Sequence, residues 1–392
     1  MTTAPRIADE QRRARLAHRH LLAPGHRAAT VEDVADALVA LHASDPATVH
    51  LSACARLAEP SHREVERGLY EDVTLVKLLS MRRTLFAVST RVAPCVGSST
   101  ARAIAQRERV TLLKVLRQHA EGGEPWDEDR LAAAERATLE ALAARGQATT
   151  RELAGDVPAL RETLLMSPGK PYEGRQSVGS RVLRLLASDG HVRRGRPRGS
   201  WTSSLYPWAA APPLPELPVR EAKAELARRW LASYGPATEA DLKWWTGWSL
   251  RDTRAALADA GAVPVRLAAG PGLALPDDLE DAGPTGDWAA LLPGLDPTAM
   301  GWRVRDWYLD PGHVPFLFDR AGNIGPTVWW NGRVVGGWAQ RADGEIVWRA
   351  LTDVGRDASA AIAAEAGRLS AWVGEVRVTP RFRTPLEREL VR

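Results

Sequence analysis

The chain has 392 residues, of which 45% are hydrophobic and 26% charged, and it carries a net charge of +4. That length exceeds a single small core and predicts two to four domains. No apolar run approaches the roughly 20 residues of a bilayer-spanning helix, and two cysteines cannot build a Cys-rich zinc module.

Of the 52 basic residues only five are lysine, leaving 47 arginines. Guanidinium groups suit bidentate phosphate and guanine contacts. A GC-rich coding sequence favours the same residue, so composition permits nucleic acid without requiring it. The N-terminal "MTTAPRIADEQRRARLAHRH" has arginines but no apolar segment behind them, so it predicts no secretory signal and a cytoplasmic protein. Cys54 and Cys95 read as small buried hydrophobes.

In chain order, "RRARLAHRHLL" predicts a first helix. "TVEDVADALVALHAS" predicts a second, capped by Thr30, and "PATVHLSACARL" a third. "SMRRTLFAVS" (80–89) predicts the strand that closes the unit. His18 and His20 stand two apart on a helix, where side chains diverge, so no metal pair is expected. The junction "LHASDPATVHLSACARL" (41–57) crowds His42, Ser44 and Asp45 ahead of an apolar, small-residue helix. Asp before Pro is an N-cap arrangement that stabilises by about 0.5–2 kcal/mol. A capping carboxylate stays ionised, however, and can still face a cleft. His42 reads either as a helix-end histidine or as a group that binds water. Ser44 reads either as a small packing residue or as a second contact to that water.

A clearer unit follows. "DEDRLAAAERATLEALAARG" predicts a long helix, and "QATTRELAGDV" a short one capped by Thr149 or Thr150. Residues 177–188 predict an amphipathic third helix, stopped by Asp189-Gly190. An Arg/Gly-rich loop then separates two strands. That order is a winged helix, with "RRGRPR" (193–198) at the wing. Arg193, Arg194, Arg196 and Arg198 there suit phosphate or minor-groove contact, although a solvated basic hairpin has the same composition. After the linker "PWAAAPPLPELPVREA", "VREAKAELARRWLASYGPATEADLKWWTGWSLRDTRAALADAG" repeats the pattern, with Thr238 and Ser249 as caps and Gly261 as a stop. Trp244, Trp245 and Trp248 stand too close together to share one helix face. The last third alternates as antiparallel strands do, with Asn331-Gly332 as a type I′ turn signal and Asp343-Gly344 as a second turn. Asp306, Asp310 and Asp319 read as turn caps and salt-bridge partners.

The fold class is therefore α+β: tandem winged-helix (helix-turn-helix) domains followed by a β-rich C-terminal domain. The predicted boundaries are 1–122, 123–212, 213–278 and 279–392.

Together the junction at 41–57, "SMRRTLFAVS", "SSLYPW", "YGPATEADLKWWTG", "LLPGLDPTAMGWRVRDWYL" and "LFDRAGNIGPTVWWNGRVVGGW" resemble the AlkZ/YcaQ-type DNA glycosylases over most of the chain. The resemblance implies a C-shaped array around duplex DNA and excision of alkylated bases, in some members from interstrand crosslinks. It also implies that Arg82 or Arg83 contacts DNA or the site. The family's catalytic motif is a glutamine, an aliphatic residue, and a second glutamine or an aspartate. Here His42, Ala43 and Ser44 stand at those positions, with Asp45 one place late. That departure leaves DNA binding intact and opens the question of activity.

The chemistry remains accessible to these residues. A cationic alkylated purine leaves without a general acid, so the enzyme needs to stabilise an oxocarbenium-like sugar and hold a water. A neutral imidazole can accept from that water and donate through its other nitrogen. The expectation is a monofunctional DNA repair glycosylase with no metal and no cofactor, a monomer on double-stranded DNA and nucleoid-associated when bound. The rivals are a non-catalytic, regulatory DNA-binding protein that has lost the glutamines, and an interaction scaffold that binds no DNA.

Overall fold

The computed structural model of the protein describes residues 4–121, 123–380 and 382–392. It is a mixed α/β chain with five small antiparallel sheets among the described residues. Helix α1 (Asp9–Arg19) is followed by α2 (Val31–Ala37), which Thr30 caps as expected by accepting from the Asp33 amide. The helix does not continue to residue 44. Its apolar residues carry on, but Val39 takes a left-handed φ of 63°, which ends the helix. Residues Leu41–His42 then form strand β1.

Asp45 caps α3 (Pro46–Cys54), accepting from the Ala47 amide at 2.9 Å, with Pro46 at the first helical position. Strands β2 (Leu75–Ser80) and β3 (Thr84–Ser89) complete a sheet in the order β1-β3-β2. The predicted single strand over 80–89 is thus interrupted. Met81–Arg83 turn the chain, with Arg82 and Arg83 both left-handed at φ 54° and 60°. Two arginines carry no turn signature, which is why the sequence concealed it.

The next unit has its own core. Leu112, Leu113 and Leu116 of α4 (Arg102–His119) pack with Leu131 and Leu142 of α5 (Glu128–Arg145) and with Val182 and Leu186 further on. Strand β4 (Ala120–Glu121) heads a second sheet. After α5 the chain runs β5 (Gln147–Ala148), α6 (Thr150–Asp156), then the hairpin β6 (Thr163–Met166) and β7 (Gly174–Ser177). Thr149 and Glu152 form a reciprocal capping box at α6. Helix α7 (Val178–Ser188) buries one apolar stripe, and Gly190 turns the chain at φ 83°. Strands β8 (Val192–Arg194) and β9 (Trp208–Ala210) pair with β5 in the order β5-β9-β8, and the loop that the sequence predicts as a wing, here called the wing loop, lies between them.

A third group comprises α8 (Val219–Tyr234), α9 (Glu239–Thr246), α10 (Leu250–Asp259) and the hairpin β10 (Val263–Leu267) and β11 (Gly270–Ala274). Thr238 and Ser249 cap as the sequence predicts. The C-terminal sheet is β12 (Ala289–Leu292), β13 (Thr327–Trp330), β14 (Arg333–Gln340) and β15 (Ile346–Ala350), paired in that order. Asn331 and Gly332 turn β13 into β14 with φ 45° and 80°, the signature of type I′. Helix α11 (Gly355–Val373) covers the sheet.

Two features tie the ends of the chain together. Helix α3 buries Ala47, Leu51 and Cys54 against the C-terminal sheet and α11, where Trp201 from the wing loop also lodges. Beside it Arg56 and Asp296, both fully buried, form a two-pronged ion pair at 2.7 and 2.9 Å. Burial alone would raise the Asp296 carboxyl; Arg56, Ser52 and the Thr298 amide overcome that and hold it below the usual range. Removing one partner of such a pair costs about 3–5 kcal/mol, because the other charge is left buried and alone.

Candidate functional site

His42 lies on β1, opposite Phe86 of β3, and its ring meets the Phe86 ring edge-on at 5.6 Å between centroids. Only 6% of the residue is exposed, and Nδ1 is buried without a hydrogen-bond partner. Burial pushes the imidazole pKa down to about 4; the nearby Arg82 charge adds to this, and Asp296 opposes it. The ring is neutral at physiological pH, with one nitrogen to donate and one to accept.

Ser44 is exposed and Asp45 half-buried. Asp45 Oδ1 accepts from the Ala47 amide, and burial nevertheless raises this carboxyl from its ordinary value. Capping therefore occupies one carboxylate oxygen. The other has no partner among the described residues. Only Ala43 separates Ser44 and Asp45 from the strand that carries His42.

Arg82 and Arg83 share one turn but face different surroundings. The Arg82 guanidinium lies 3.9 Å from the Trp244 ring centre, and burial lowers its pKa to about 10, with Arg305 contributing. Arg83 projects outward and pairs with Glu108 at 2.5 Å. Trp245 and Trp248 are core residues, whereas Trp244 is only half-buried, the separation that their spacing predicted.

The four wing arginines do not form one patch. Arg193 and Arg194 remain on the cleft side, Arg194 lying 4.7 Å over the Tyr206 ring. Arg196 instead pairs with Glu71, and Arg198 with Glu152 at 3.6 Å.

Between the β2–β3 hairpin and the second unit lies a cleft of about 550 Å³. Arg82, Arg83, Arg193 and Arg194 all line it. So do Lys77, Arg181 and Arg184, which the sequence reading missed; Glu108 is the carboxylate among them. Lys77 donates to the Tyr70 hydroxyl at 3.1 Å, and burial with Arg194 nearby lowers its pKa to about 7. The strand register separates this cleft from His42. Cross-strand partners share a sheet face. Lys77, Leu79 and Leu85 point toward the cleft, while His42, Phe86 and Leu78 occupy the opposite face. Arg82, at the turn, borders both. A periodicity signal for Arg181 and Arg184 did exist, since both lie on the polar side of α7.

Cys54 and Cys95 are buried, and burial pushes their thiols up to about 11 and 12, so both are inert hydrophobes at neutral pH. Among the described residues no cluster of His, Cys, Asp and Glu is arranged to hold a metal ion, and no helix is long and apolar enough to cross a membrane.

The AlkZ-like DNA glycosylase family model matches residues 35–372, most of the chain. The chain belongs to the AlkZ-like DNA glycosylases. It is a DNA repair enzyme of that family, acting on DNA. Among solved structures it is similar to the Streptomyces sahachiroi DNA glycosylase AlkZ, with a TM-score of 0.70 and 22% identity over 93% of this chain and 97% of that one. At that identity the likeness establishes the mixed α/β fold. No curated protein matches the chain. In this AlkZ-like glycosylase the candidate histidine stands within the matched segment, as do the cleft and the Arg56–Asp296 pair.

Proposed function

We propose that this glycosylase hydrolyses the N-glycosidic bond of alkylated or crosslinked purines in double-stranded DNA, using a positioned water. The observation that carries this reading is the burial of His42, 6% exposed and with Nδ1 buried and unpartnered, which favours an uncharged imidazole. A glutamine amide offers one donor group and one acceptor without charge, and a desolvated neutral imidazole offers the same. His42 can therefore replace the family's first glutamine in function while differing in shape. Asp45, one place beyond the second motif position, supplies a carboxylate whose uncommitted oxygen can polarise the water or stabilise the cationic sugar. Ser44 completes the water's contacts. The base leaves with its positive charge neutralised by bond cleavage, so no general acid, metal or cofactor enters the scheme.

On this reading 1–122, 123–212 and 213–278 are winged-helix units and 279–392 a β-rich domain, set in a C around the duplex. Arg193 and Arg194 from the wing, with Lys77, Arg181 and Arg184, track one strand's phosphates through the cleft. The protein acts as a monomer, in the cytoplasm and on the nucleoid.

Single-turnover excision on a duplex carrying one N7-alkylguanine, read as heat-labile abasic sites, tests the assignment. His42→Ala should slow excision about 10²–10³-fold, the usual loss for one positioned polar group at a reacting centre. His42→Gln should keep most of the rate. Equal rates for wild type and His42→Ala would remove the histidine from the mechanism.

A further inference from the structure

Arg305, which no motif reading singled out, shares an indole with Arg82. Its guanidinium carbon lies 5.0 Å from the Trp244 ring centre and 5.3 Å from that of Phe318, while Arg82 lies 3.9 Å from Trp244. Both arginines are half-buried, and the Nε of each is buried without a hydrogen-bond partner. Neither has a carboxylate within ion-pair distance among the described residues. Other arginines, including Arg83 in the same turn, do pair: Arg83 with Glu108, Arg196 with Glu71 and Arg220 with Asp259.

Two like charges brought onto one aromatic ring, out of bulk water and without a counterion, repel each other and lose hydration. The contact with Trp244 offsets only part of that, since a cation over an indole contributes about 0.5–2 kcal/mol. The backbone is also held against preference, as Arg82 and Arg83 are consecutive left-handed residues that are not glycine. Outliers of this kind cost roughly 1–3 kcal/mol and collect at ligand sites. An anion seated between the two guanidiniums relieves the repulsion and gives their unpaired Nε–H groups an acceptor. Guanidinium geometry matches a tetrahedral phosphate monoanion in two-pronged fashion.

We propose that Arg82 and Arg305, braced by Trp244, clamp one backbone phosphate next to the lesioned nucleotide and so position its sugar at His42. Arg82 stands in the turn that leads into β3, four residues before Phe86, the cross-strand partner of His42, and this places the clamped phosphate beside the reacting nucleotide. Arg305 is thus a positioning residue supplied by the C-terminal part of the chain, acting on chemistry carried by the N-terminal part. The identity of the anion as a DNA phosphate rests on the glycosylase reading above.

The test is a methylphosphonate scan. Duplexes carry one N7-alkylguanine, and each flanking phosphate in turn is replaced by its neutral methylphosphonate. Wild-type protein should lose about tenfold or more in affinity at one position and much less at the others. Arg305→Met should bind the unmodified duplex about tenfold more weakly and become insensitive to neutralisation at that same position. Arg305→Lys, which keeps the charge without the fork, should fall between. If Arg305→Met and the methylphosphonate weaken binding multiplicatively at every position, the clamp is wrong. It is equally wrong if no phosphate stands out for wild type, a result that needs no variant to fold. Wild-type excision from the unmodified duplex is read in parallel. Its absence would sink the glycosylase mechanism, while the phosphate scan would still decide the clamp through binding.

Discussion

The charge state of His42 decides what its ring can do for a water molecule. A protonated imidazole has only donors, and a neutral one also accepts. Burial and Arg82 hold the pKa near 4, against an ordinary 6.5. The sign follows directly: between those values the unfolded chain binds the proton and the folded one does not, so folding stability falls as pH drops through that window. The rate is expected to stay level from pH 8 to about 5 and to fall only as pH approaches 4. Arg82→Met removes a neighbouring positive charge, so the acid limb should move up toward, but not to, 6.5, because burial persists. A stopped single-turnover series from pH 4 to 8, with circular dichroism confirming fold at each point, reads both limbs. A wild-type midpoint already at 6.5 would mean a solvated ring with no special role. His42, Ser44 and Asp45 were legible as a polar cluster from the sequence. Neutrality was not, since it depends on Phe86 and Arg82, some 40 residues away in the chain.

At the scale of elements, helix α3 poses the question whether Asp45 is a cap or a catalyst, and the two roles separate by substitution. Asparagine caps as well as aspartate, whereas alanine leaves the Ala47 amide unpaired and costs about 0.5–2 kcal/mol. Asp45→Asn should therefore melt close to wild type and Asp45→Ala at lower temperature. If the carboxylate also serves the reaction, both variants should lose excision to a similar extent. An asparagine variant with wild-type rate would reduce Asp45 to its structural duty. Caps of this kind were readable in advance at Thr30, Thr149, Thr238 and Ser249, because the signal is a local side chain three residues from its amide. The end of α2 and the Met81–Arg83 turn were not readable. Val39, Arg82 and Arg83 adopt left-handed backbone that their side chains disfavour, and only surrounding packing imposes it.

Across the whole molecule, partners far apart in sequence build the cleft, and their division of labour fixes how binding responds to salt. Each phosphate neutralised on duplex DNA releases condensed counterions, adding about 0.9 to the slope of log affinity against log salt. Arg184, on α7, has no carboxylate partner among the described residues, and its pKa is lowered by burial and by Arg181. Its Nε donates to the Ser180 carbonyl at 2.9 Å, which leaves the terminal N–H groups to take a phosphate. Arg196 is already satisfied by Glu71, at the far side of the wing. Arg184→Gln should therefore reduce the slope by about one contact, and Arg196→Gln should leave it close to wild type. The sequence ranks these two arginines the other way, since "RRGRPR" is the conspicuous basic run and α7 looks like an ordinary amphipathic helix. Tertiary pairing argues for the reverse ranking: an exposed pair such as Arg196–Glu71 contributes only about 0–1 kcal/mol to stability, yet it occupies a guanidinium of the basic run. Fluorescence anisotropy with a labelled duplex between 50 and 300 mM salt measures both slopes. A slope lowered by the Arg196 substitution and untouched by the Arg184 one would move the phosphate path out of the cleft and onto the wing.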